Sequence, residues 1–343
     1  MTVEIRTFKP TDRKAWNEYV ATRDQATVYH SLAWRDVVRK QYGFRDYYVL
    51  AKADGQLKGI FPIFLVSNFS GRRMISLPVS MWGGPVAEDK KTLRMLIAYA
   101  TRFAKKNSAS LDFVSHTKLQ LTGLSCSQPE MRAIVELQYA SMSDFLDKHF
   151  ARSKERHKVK KAARKAKKEG VTLHMGKHGL VEQYHNLYLT HRKRLGLPVP
   201  SRLYLERILD TIQSRVVVCY QHGSPVAGAL ILEDGDSFYL AEGVANEKGK
   251  RCHAVDLYMW RILEESLRRH KKRLDLGGSF VENEGLRRFK RKWGAKEFPI
   301  YRYATLVGSP NDKDRKLRGV PFWDKLPDGL IKVLSPLVIR WFY

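Results

Sequence analysis

A lysine on a short amphipathic helix is the residue of this chain most able to do chemistry. Apolar side chains recur at helical spacing at Leu286, Phe289 and Trp293, which predicts a helix with one buried stripe. On a helical wheel, Lys290 lies roughly 80° from the centre of that stripe. We therefore expect its ammonium at the edge of the core. There it either stabilises a developing oxyanion or leaving-group oxygen, or it is one more solvated cation.

Two predicted strands flank this helix and position it. Residues 273–276 alternate apolar and polar side chains and are followed by Gly277 and Gly278, a pattern that predicts a strand ending in a tight turn. Residues 299–305 alternate in the same way and form a second predicted strand. The helix is thus expected between two strands.

The helix and the strand before it carry motifs of a known superfamily. Residues 283–295 read NEGLRRFKRKWGA, and residues 275–279 read DLGGS. The first segment resembles the late helix of GNAT acyltransferases, in which a tyrosine, often the general acid, stands where this chain has Lys290. The motif FKRKWG after DLGGS resembles the FemAB-like branch, which includes amino-acid ligases that use aminoacyl-tRNA. The resemblance covers most of the chain and implies two GNAT-like domains in tandem.

The resemblance also implies roles for individual residues. Lys290 is the expected catalytic residue, with Ser279 and Asn283 orienting the acyl donor and Lys292 or Arg192 binding phosphate. Further substrate-binding positions are expected at His30, Trp34, Trp82, Gly83 and Tyr303. As a cation of ordinary pKa, Lys290 is a poor general base, and the sequence offers no convincing His/Asp pair. Substrate or water is therefore expected to remove the proton.

The aromatic and glycine positions of the first half are each open to two interpretations. His30 and Trp34 are four residues apart, so on a helix both side chains face the same way. FemAB-like sequences often show this pair, but Trp34 is equally explained as core and His30 as a filler of an interface. Gly83 and Gly84 follow Trp82 where the family comparison implies an acceptor pocket, although paired glycines also simply make turns.

The charge of the chain indicates an anionic partner. Its 343 residues include 62 Lys and Arg against 35 Asp and Glu, a formal net charge of +27. Such an imbalance costs self-repulsion in the folded state, so RNA, nucleotide-linked substrates or acidic lipid surfaces are the expected partners.

The strongest charge run lies between the two halves and ends at Gly170, which predicts a helix with a definite stop. Its basic face is either merely solvated or binds an anion. The residues expected to contact RNA or phosphate are Lys158, Lys161, Arg164, Lys165 and Lys168 on this helix, and Lys248, Lys250 and Arg251 further on.

The segment 246–254 bears on the choice of acyl donor. In GNAT members that use acetyl-CoA, a glycine loop here holds the pyrophosphate at a helix N-terminus. This chain keeps only Gly249 of that pattern, although the neighbouring lysines still suit phosphate. We therefore expect weak CoA recognition and no cofactor, with aminoacyl-tRNA as the donor substrate and acyl-CoA as the alternative.

Composition sets the class and compartment. Hydrophobic residues make up 43% and aromatic residues 11%, as in packed globular proteins. The 3 cysteines are far apart and form no metal spacing, so we expect no metal site and a reduced compartment. The sequence has no secretory signal and no spanning apolar stretch. A cytoplasmic protein is expected, with the inner face of the cell membrane as a further expected location.

The expected fold class is α/β (α+β), with two tandem GNAT-like domains, each a mixed, mostly antiparallel sheet flanked by helices. The predicted ranges are 1–145 for the first domain, 146–170 for a basic linking helix, 171–310 for the second domain with the active site, and 311–343 for an amphipathic tail. Prolines 327 and 336 are expected to break the tail into short helices that either lie at a membrane interface or pack on the body.

These observations predict a FemAB-like N-acyltransferase that forms an amide on a primary amine. The expected reaction transfers an amino acid from aminoacyl-tRNA to a lipid- or nucleotide-linked precursor of the cell envelope. Two alternatives remain open: an acyl-CoA-dependent GNAT N-acyltransferase, and a non-catalytic module that binds RNA or anionic membrane.

Overall fold

The chain contains runs of consecutive strands separated by single helices or pairs of helices. The computed structural model describes residues 3–68, 71–150, 153–305 and 322–339, apart from the side chains of 153–155. The strands are β1 (Glu4–Thr7), β2 (Arg45–Asp46), β3 (Val49–Ala53), β4 (Gln56–Phe61), β5 (Phe64–Asn68), β6 (Gly71–Ile75), β7 (Val86–Ala87), β8 (Ala109–Ser115), β9 (Leu124–Glu136), β10 (Val171–Gly176), β11 (Ser214–Gln221), β12 (Ser224–Asp234), β13 (Ser237–Ala245), β14 (Arg273–Phe280) and β15 (Lys296–Thr305). The helices are α1 (Arg13–Thr22), α2 (Leu32–Tyr42), α3 (Lys90–Lys106), α4 (Met142–His149), α5 (Ser153–Lys168), α6 (Val181–Arg194), α7 (Arg202–Thr211), α8 (Glu247–Arg251), α9 (Ala254–Arg268), α10 (Glu284–Lys292) and α11 (Asp328–Val338).

The chain divides into two compact units whose limits differ from the predicted ones. The first contains residues up to Pro129 and the segment that starts at Pro299, and the second runs from Glu130 to Phe298 and takes in the tail as far as Pro336. The helix expected to link the halves belongs to the second unit, because its apolar residues Val159, Ala163 and Ala166 are buried and it packs against α9. Residues 311–321 and 340–343 of the predicted tail lie outside the described residues, as do residues 306–310 at the end of the predicted second domain.

The first unit contains strands in two groups. One sheet has the order β1-β3-β4-β7, with every pair antiparallel. In the other group β8 pairs antiparallel with β15 and parallel with β6, which continues to β5 and β2. The amphipathic helix α3 packs on β3, β4 and β8, and it buries Leu96, Ile97 and Ala100 in the core of this unit.

The second unit is built on strands in the order β10-β11-β12-β13-β14-β9. All pairs are antiparallel except β13 with β14, which pair in parallel only over Ser237–Tyr239 and Arg273–Asp275. Beyond these residues the two strands are no longer paired, so their backbone groups face an opening in the sheet. The predicted fold class, mixed and mostly antiparallel sheets flanked by helices, is confirmed.

The described part of the tail is a helix with two different sides. The predicted break at Pro336 is wrong, because α11 continues through this proline to Val338. Ser335 anchors the helix by accepting a hydrogen bond from the Val199 amide at 3.1 Å, and Ile331 is also buried. Leu330, Val333 and Leu337 are exposed on the same helix. Among the described residues, no helix has the length and apolar content needed to cross a bilayer.

Candidate active site

Lys290 is buried rather than placed at the edge of the core. Only 5% of its surface is exposed, whereas Leu286, which was predicted to be buried, is 39% exposed. The helix α10 is capped by the Asn283 carboxamide, which accepts from the Leu286 amide at 3.1 Å. The buried positions, Lys290 and Trp293, lie at the C-terminal end of the helix. The first turn therefore stays in solvent, and the helical-wheel placement of both residues is wrong.

A bulge in β14 creates the acceptor site for the Lys290 ammonium. The Nζ atom donates to the carbonyl oxygens of Gly277 at 2.9 Å and Gly278 at 2.6 Å. The predicted tight turn at these glycines is wrong, because β14 continues to Phe280 with a register shift. Successive strand carbonyls normally point in opposite directions, but Gly277 has φ +76°, which turns both carbonyls toward one side.

Burial changes the acid–base behaviour of this lysine. It lowers the pKa of Lys290 to about 8, while the negative charges of Asp275, Glu130, Glu297 and Glu242 act in the opposite direction. The expectation of a lysine with ordinary pKa is therefore wrong. A group that titrates near pH 8 both donates and accepts protons under physiological conditions.

Glu242 on β13 is the acidic partner that the sequence analysis missed. Leu230 pairs with Glu242 and Ile231 with Leu240, so Ala241 has no partner across the ladder and the strand is bulged there. Burial raises the pKa of the Glu242 carboxyl, and the charges of Arg192 and Lys290 lower it. A carboxylate within an apolar strand is unusual, so the sequence did contain a signal that could have identified Glu242.

Arg192 and Tyr188 of α6 complete the surroundings of Glu242. The Tyr188 hydroxyl donates to the Glu242 carboxylate at 3.3 Å. Arg192 donates from Nε to the Pro198 carbonyl at 3.0 Å, and its guanidinium lies over the Tyr188 ring, 5.8 Å from its centroid. The structure therefore brings Arg192, a predicted phosphate-binding residue, to the same carboxylate whose charge acts on Lys290.

Three other residues predicted near Lys290 have different surroundings. Ser279 is buried, and its Oγ has no hydrogen-bond partner among the described residues. Ser279 is next to Gly278, whose carbonyl accepts from Lys290. A buried hydroxyl without a partner at this position is suited to hydrogen-bond a substrate atom. Asn283 is exposed, and its side-chain oxygen caps α10. Lys292 forms an ion pair with Asp256 at the start of α9.

His30 and Trp34 do not share a helix face. His30 ends the 3₁₀ turn Val28–His30, whereas α2 begins only at Leu32. The buried His30 ring holds two chain segments together, with Nδ1 3.0 Å from Thr27 Oγ1 and Nε2 3.2 Å from the Gly84 carbonyl. Trp34 is buried and packs edge-on against Tyr29. These contacts give both residues a structural role in the first unit.

The other first-unit positions are also tightly packed. A Cβ atom on Gly83 would collide with the Ser76 carbonyl, so this glycine allows close approach of two backbone segments. Trp82 is buried beside it. The buried Tyr303 donates from its hydroxyl to the Leu119 carbonyl at 3.0 Å and accepts from the Leu119 amide at 2.6 Å. The structure thus places these predicted substrate-binding residues in the interior of the first unit.

The segment after β13 is a short helix and not a loop. Asn246 caps α8, and its side chain accepts from the Gly249 amide at 2.8 Å. Gly249 is buried, and a Cβ atom there would collide with the Val226 carbonyl on β12. This glycine therefore serves packing on the sheet. Lys248, Lys250 and Arg251 are exposed, as a phosphate contact requires, and Lys250 pairs with Glu247 at 2.7 Å.

The basic helix α5 presents a continuous cationic face. Its exposed cations include Lys158, Lys161, Arg164, Lys165 and Lys168. Spacings of three and four residues place the lysines along one side of the helix, over a length of about 15 Å. None of these five forms an ion pair with a residue that the structure describes. The face therefore keeps its full charge for an external anion.

Comparisons with known proteins agree with this geometry. Residues 153–291 match the family model described as an acetyltransferase (GNAT) domain. No curated protein matches the sequence. Among solved structures, FemX aligns with a TM-score of 0.68 at 14% identity, covering 89% of this chain and 98% of that chain.

Two further solved structures have the same fold. The C-terminal domain of a putative lysylphosphatidylglycerol synthetase from Agrobacterium fabrum gives a TM-score of 0.58 at 16% identity over 89% of this chain and 92% of that one. A tandem GNAT protein from the clavulanic acid biosynthesis pathway gives 0.57 at 11% identity over 91% and 100%. The predicted arrangement of two GNAT-like domains in tandem is confirmed.

Proposed function

We propose that this chain, whose residues 153–291 belong to the GNAT family and whose fold is FemAB-like, transfers an aminoacyl group from aminoacyl-tRNA to a primary amine. The acceptor is a lipid- or nucleotide-linked precursor of the cell envelope. One observation carries the proposal: the buried Lys290, held by two backbone carbonyls, lies in the field of the Glu242 carboxylate. This pair supplies one group of each charge for amide formation.

The chemistry assigns one proton transfer to each member of the pair. Glu242 accepts a proton from the acceptor ammonium, directly or through a water molecule, because a raised pKa makes the carboxylate a stronger base. The free amine attacks the ester carbonyl, a C–N bond forms, and the Lys290 ammonium stabilises the resulting oxyanion. When the C–O bond breaks, Lys290 gives a proton to the leaving ribose oxygen, and the second proton that the attacking nitrogen must lose restores the Lys290 ammonium. The Ser279 hydroxyl orients the acyl group.

The donor is assigned from two features of the second unit. In a CoA-using GNAT, a glycine loop at the start of the helix that corresponds to α9 holds the pyrophosphate. Gly249 is committed to packing on β12. In contrast, the cationic face of α5 suits successive phosphates of RNA. None of its five exposed cations named above has an acidic partner in the described part of the chain. Aminoacyl-tRNA therefore fits this unit better than acyl-CoA does.

The acceptor is assigned partly from the tail helix. Leu330, Val333 and Leu337 are exposed on one helix, and Lys332 lies among them. An apolar strip with basic neighbours suits the interface of an anionic bilayer. One structural relative is by its name a synthetase of lysylphosphatidylglycerol, an aminoacylated lipid. We infer peripheral attachment to the inner face of the cell membrane, where a lipid-linked acceptor is presented.

The direct test is transfer from bulk tRNA, charged with labelled amino acids, to an extract of cell-envelope precursors. The proposal expects a mass increment of one amino acid on the acceptor, lost in Lys290→Ala and kept in Lys106→Ala, which removes an exposed cation of α3. Turnover of acyl-CoA without transfer from tRNA would establish the CoA-dependent alternative. Binding of RNA or vesicles that Lys290→Ala leaves unchanged, with no turnover from any donor, would show a non-catalytic module.

A further inference from the structure

A cavity of about 720 Å³ lies beside α10, and Lys290 is not among its lining residues. Residues from the end of α4, from α5 and from the turn before β15 close it. Its volume is in the range of ~300–1,000 Å³ that is typical of small-molecule sites. The cavity is therefore distinct from the Lys290 side chain, and the steps proposed at Lys290 leave its own role unassigned.

The charged side chains on the walls of this cavity are all positive. Among the residues that the structure describes, five cations line it and no carboxylate does: Lys158, Arg288, Arg291, Lys292 and Lys296. Three of them have acidic partners outside the lining, since Arg291 pairs with Glu297 at 2.7 Å, Lys296 pairs with Glu136 at 2.7 Å, and Lys292 pairs with Asp256.

Lys158 and Arg288 differ from the other three. They come from two different helices, and neither forms an ion pair with a residue in the described part of the chain. Two uncompensated cations on the walls of one cavity repel each other unless an anion lies between them. This arrangement indicates a site for an anion of more than one charge.

The remainder of the lining is apolar and aromatic. Phe150, Phe289 and Ala295 contribute to it together with the His149 ring. His149 is fixed by a 3.1 Å contact between its Nδ1 and the Tyr139 hydroxyl, and burial lowers the pKa of the imidazole. The ring is thus neutral at physiological pH. Flat uncharged surfaces flanked by cations are what an unstacked nucleotide requires.

We propose that this cavity binds one single-stranded nucleotide, with its base against Phe289 and its phosphates on Lys158 and Arg288. The proposal rests on the proposed function, which supplies RNA as the ligand of the cationic face of α5. Because Lys158 belongs both to that face and to the cavity lining, an RNA strand bound along the face would lead into the cavity. Two ligands share this chemistry, the unpaired end of a charged tRNA and the phosphoadenosine part of CoA.

The test is fluorescence anisotropy with two labelled RNA hairpins, one blunt and one with a four-nucleotide 3′ overhang, and with CoA as competitor. The double variant Lys158→Ala and Arg288→Ala is expected to raise the Kd for the overhang hairpin by roughly 10- to 100-fold. The Kd for the blunt hairpin should change by less than about 3-fold. The control double variant, Lys91→Ala with Lys106→Ala on α3, removes equal charge and should leave both unchanged.

Phe289→Leu separates stacking from charge, because it keeps an apolar side chain and the same net charge. This variant is expected to weaken binding of the overhang hairpin by about 5- to 100-fold. An unchanged melting temperature of the protein is the check on folding. Equal losses on both hairpins, or no loss on either, would overturn the cavity assignment. Displacement of the overhang hairpin by micromolar CoA would support a nucleotide site in this cavity. It would also show that the natural ligand is CoA and not the end of a tRNA.

The transfer assay separates this inference from the proposed function. If the double variant leaves overhang binding intact while wild type still transfers amino acids, the cavity assignment alone is wrong. If overhang binding depends on Lys158 and Arg288 but no aminoacyl transfer occurs with any acceptor, the ligase function alone is wrong.

Discussion

The Nζ atom of Lys290 lies 2.6 Å from the carbonyl oxygen of Gly278, and the Gly277 carbonyl accepts a second hydrogen bond from it. A neutral amine has two N–H groups and satisfies both carbonyls, with its lone pair directed elsewhere. An ammonium makes the same two bonds and has a third N–H available. These two hydrogen bonds are thus compatible with both protonation states of Lys290, as the proposed proton transfers require.

Replacement of Lys290 by methionine removes the charge and preserves most of the side-chain volume. We expect kcat to fall by roughly 10²- to 10³-fold, the effect of losing one oxyanion-stabilising donor. The melting temperature should stay close to that of wild type, because the gain from no longer burying a cation is offset by the loss of the donor to the Gly277 and Gly278 carbonyls. Lys106→Met, at an exposed position of α3, is the control. Transfer within about 3-fold of wild type in Lys290→Met would exclude a catalytic role.

The rate of transfer should depend on pH through both members of the pair. Glu242 must be deprotonated, so activity rises with pH through a pKa above the ordinary value of 4.5. Lys290 must be protonated, so activity falls as pH rises above about 8. Glu242→Gln should lower kcat by roughly 10²-fold and remove the acidic limb of the profile. An unchanged acidic limb in this variant would assign it to another group.

Stability should also depend on pH through Lys290. Because its folded-state pKa is about 8 against an ordinary 10.5, the native protein loses this proton before the unfolded chain does. The unfolded chain then binds more protons between these values, so the free energy of unfolding rises with pH across that window. The difference in unfolding free energy between wild type and Lys290→Met should change by on the order of 3 kcal/mol between the two limits. Parallel curves would contradict the lowered pKa.

The cationic face of α5 predicts a salt-dependent affinity for RNA. Lys161→Ala, Lys165→Ala and Lys168→Ala combined should reduce the slope of log Kd against log salt concentration by about 2, because each phosphate that a lysine neutralises adds ~0.7–0.9 to that slope. The matched control combines Lys91→Ala, Lys105→Ala and Lys106→Ala, exposed cations on α3 of the first unit. The same change of slope in both triple variants would mean that only net charge matters.

The exposed side of α11 predicts binding to anionic vesicles. Leu330→Ser, Val333→Ser and Leu337→Ser combined should reduce cosedimentation with phosphatidylglycerol vesicles by 10-fold or more, since each apolar side chain inserted is worth about 1.5 kcal/mol or more. Leu203→Ser, on an exposed leucine of α7, is the control. Wild-type protein that sediments equally with neutral and anionic vesicles would contradict the charge contribution, and unchanged binding of the triple variant would exclude this helix as the contact.

Much of the candidate site was predictable because it depends on local patterns. The helix over 284–292 and the candidate Lys290 follow from spacing within a dozen residues, whereas the cap at Asn283 was not predicted. The basic helix and its stop before Gly170 were predictable for the same reason. Periodicity and capping are short-range properties, so they are visible in the chain without its partners.

Other features were decided by the tertiary structure because they depend on residues distant in sequence. Pairing of β12 with β13 determines the bulge beside Glu242, and the φ of Gly277 within the sheet brings two carbonyls to Lys290. From sequence, Gly249 is typical of a phosphate-binding loop. The structure instead shows the Val226 carbonyl packed so closely against Gly249 that a side chain would not fit. The sequence alone determined which elements form and where the charge lies. Only the packing of those elements decided that Lys290 is buried, because desolvation is a property of everything that surrounds a group and not of its neighbours in the chain.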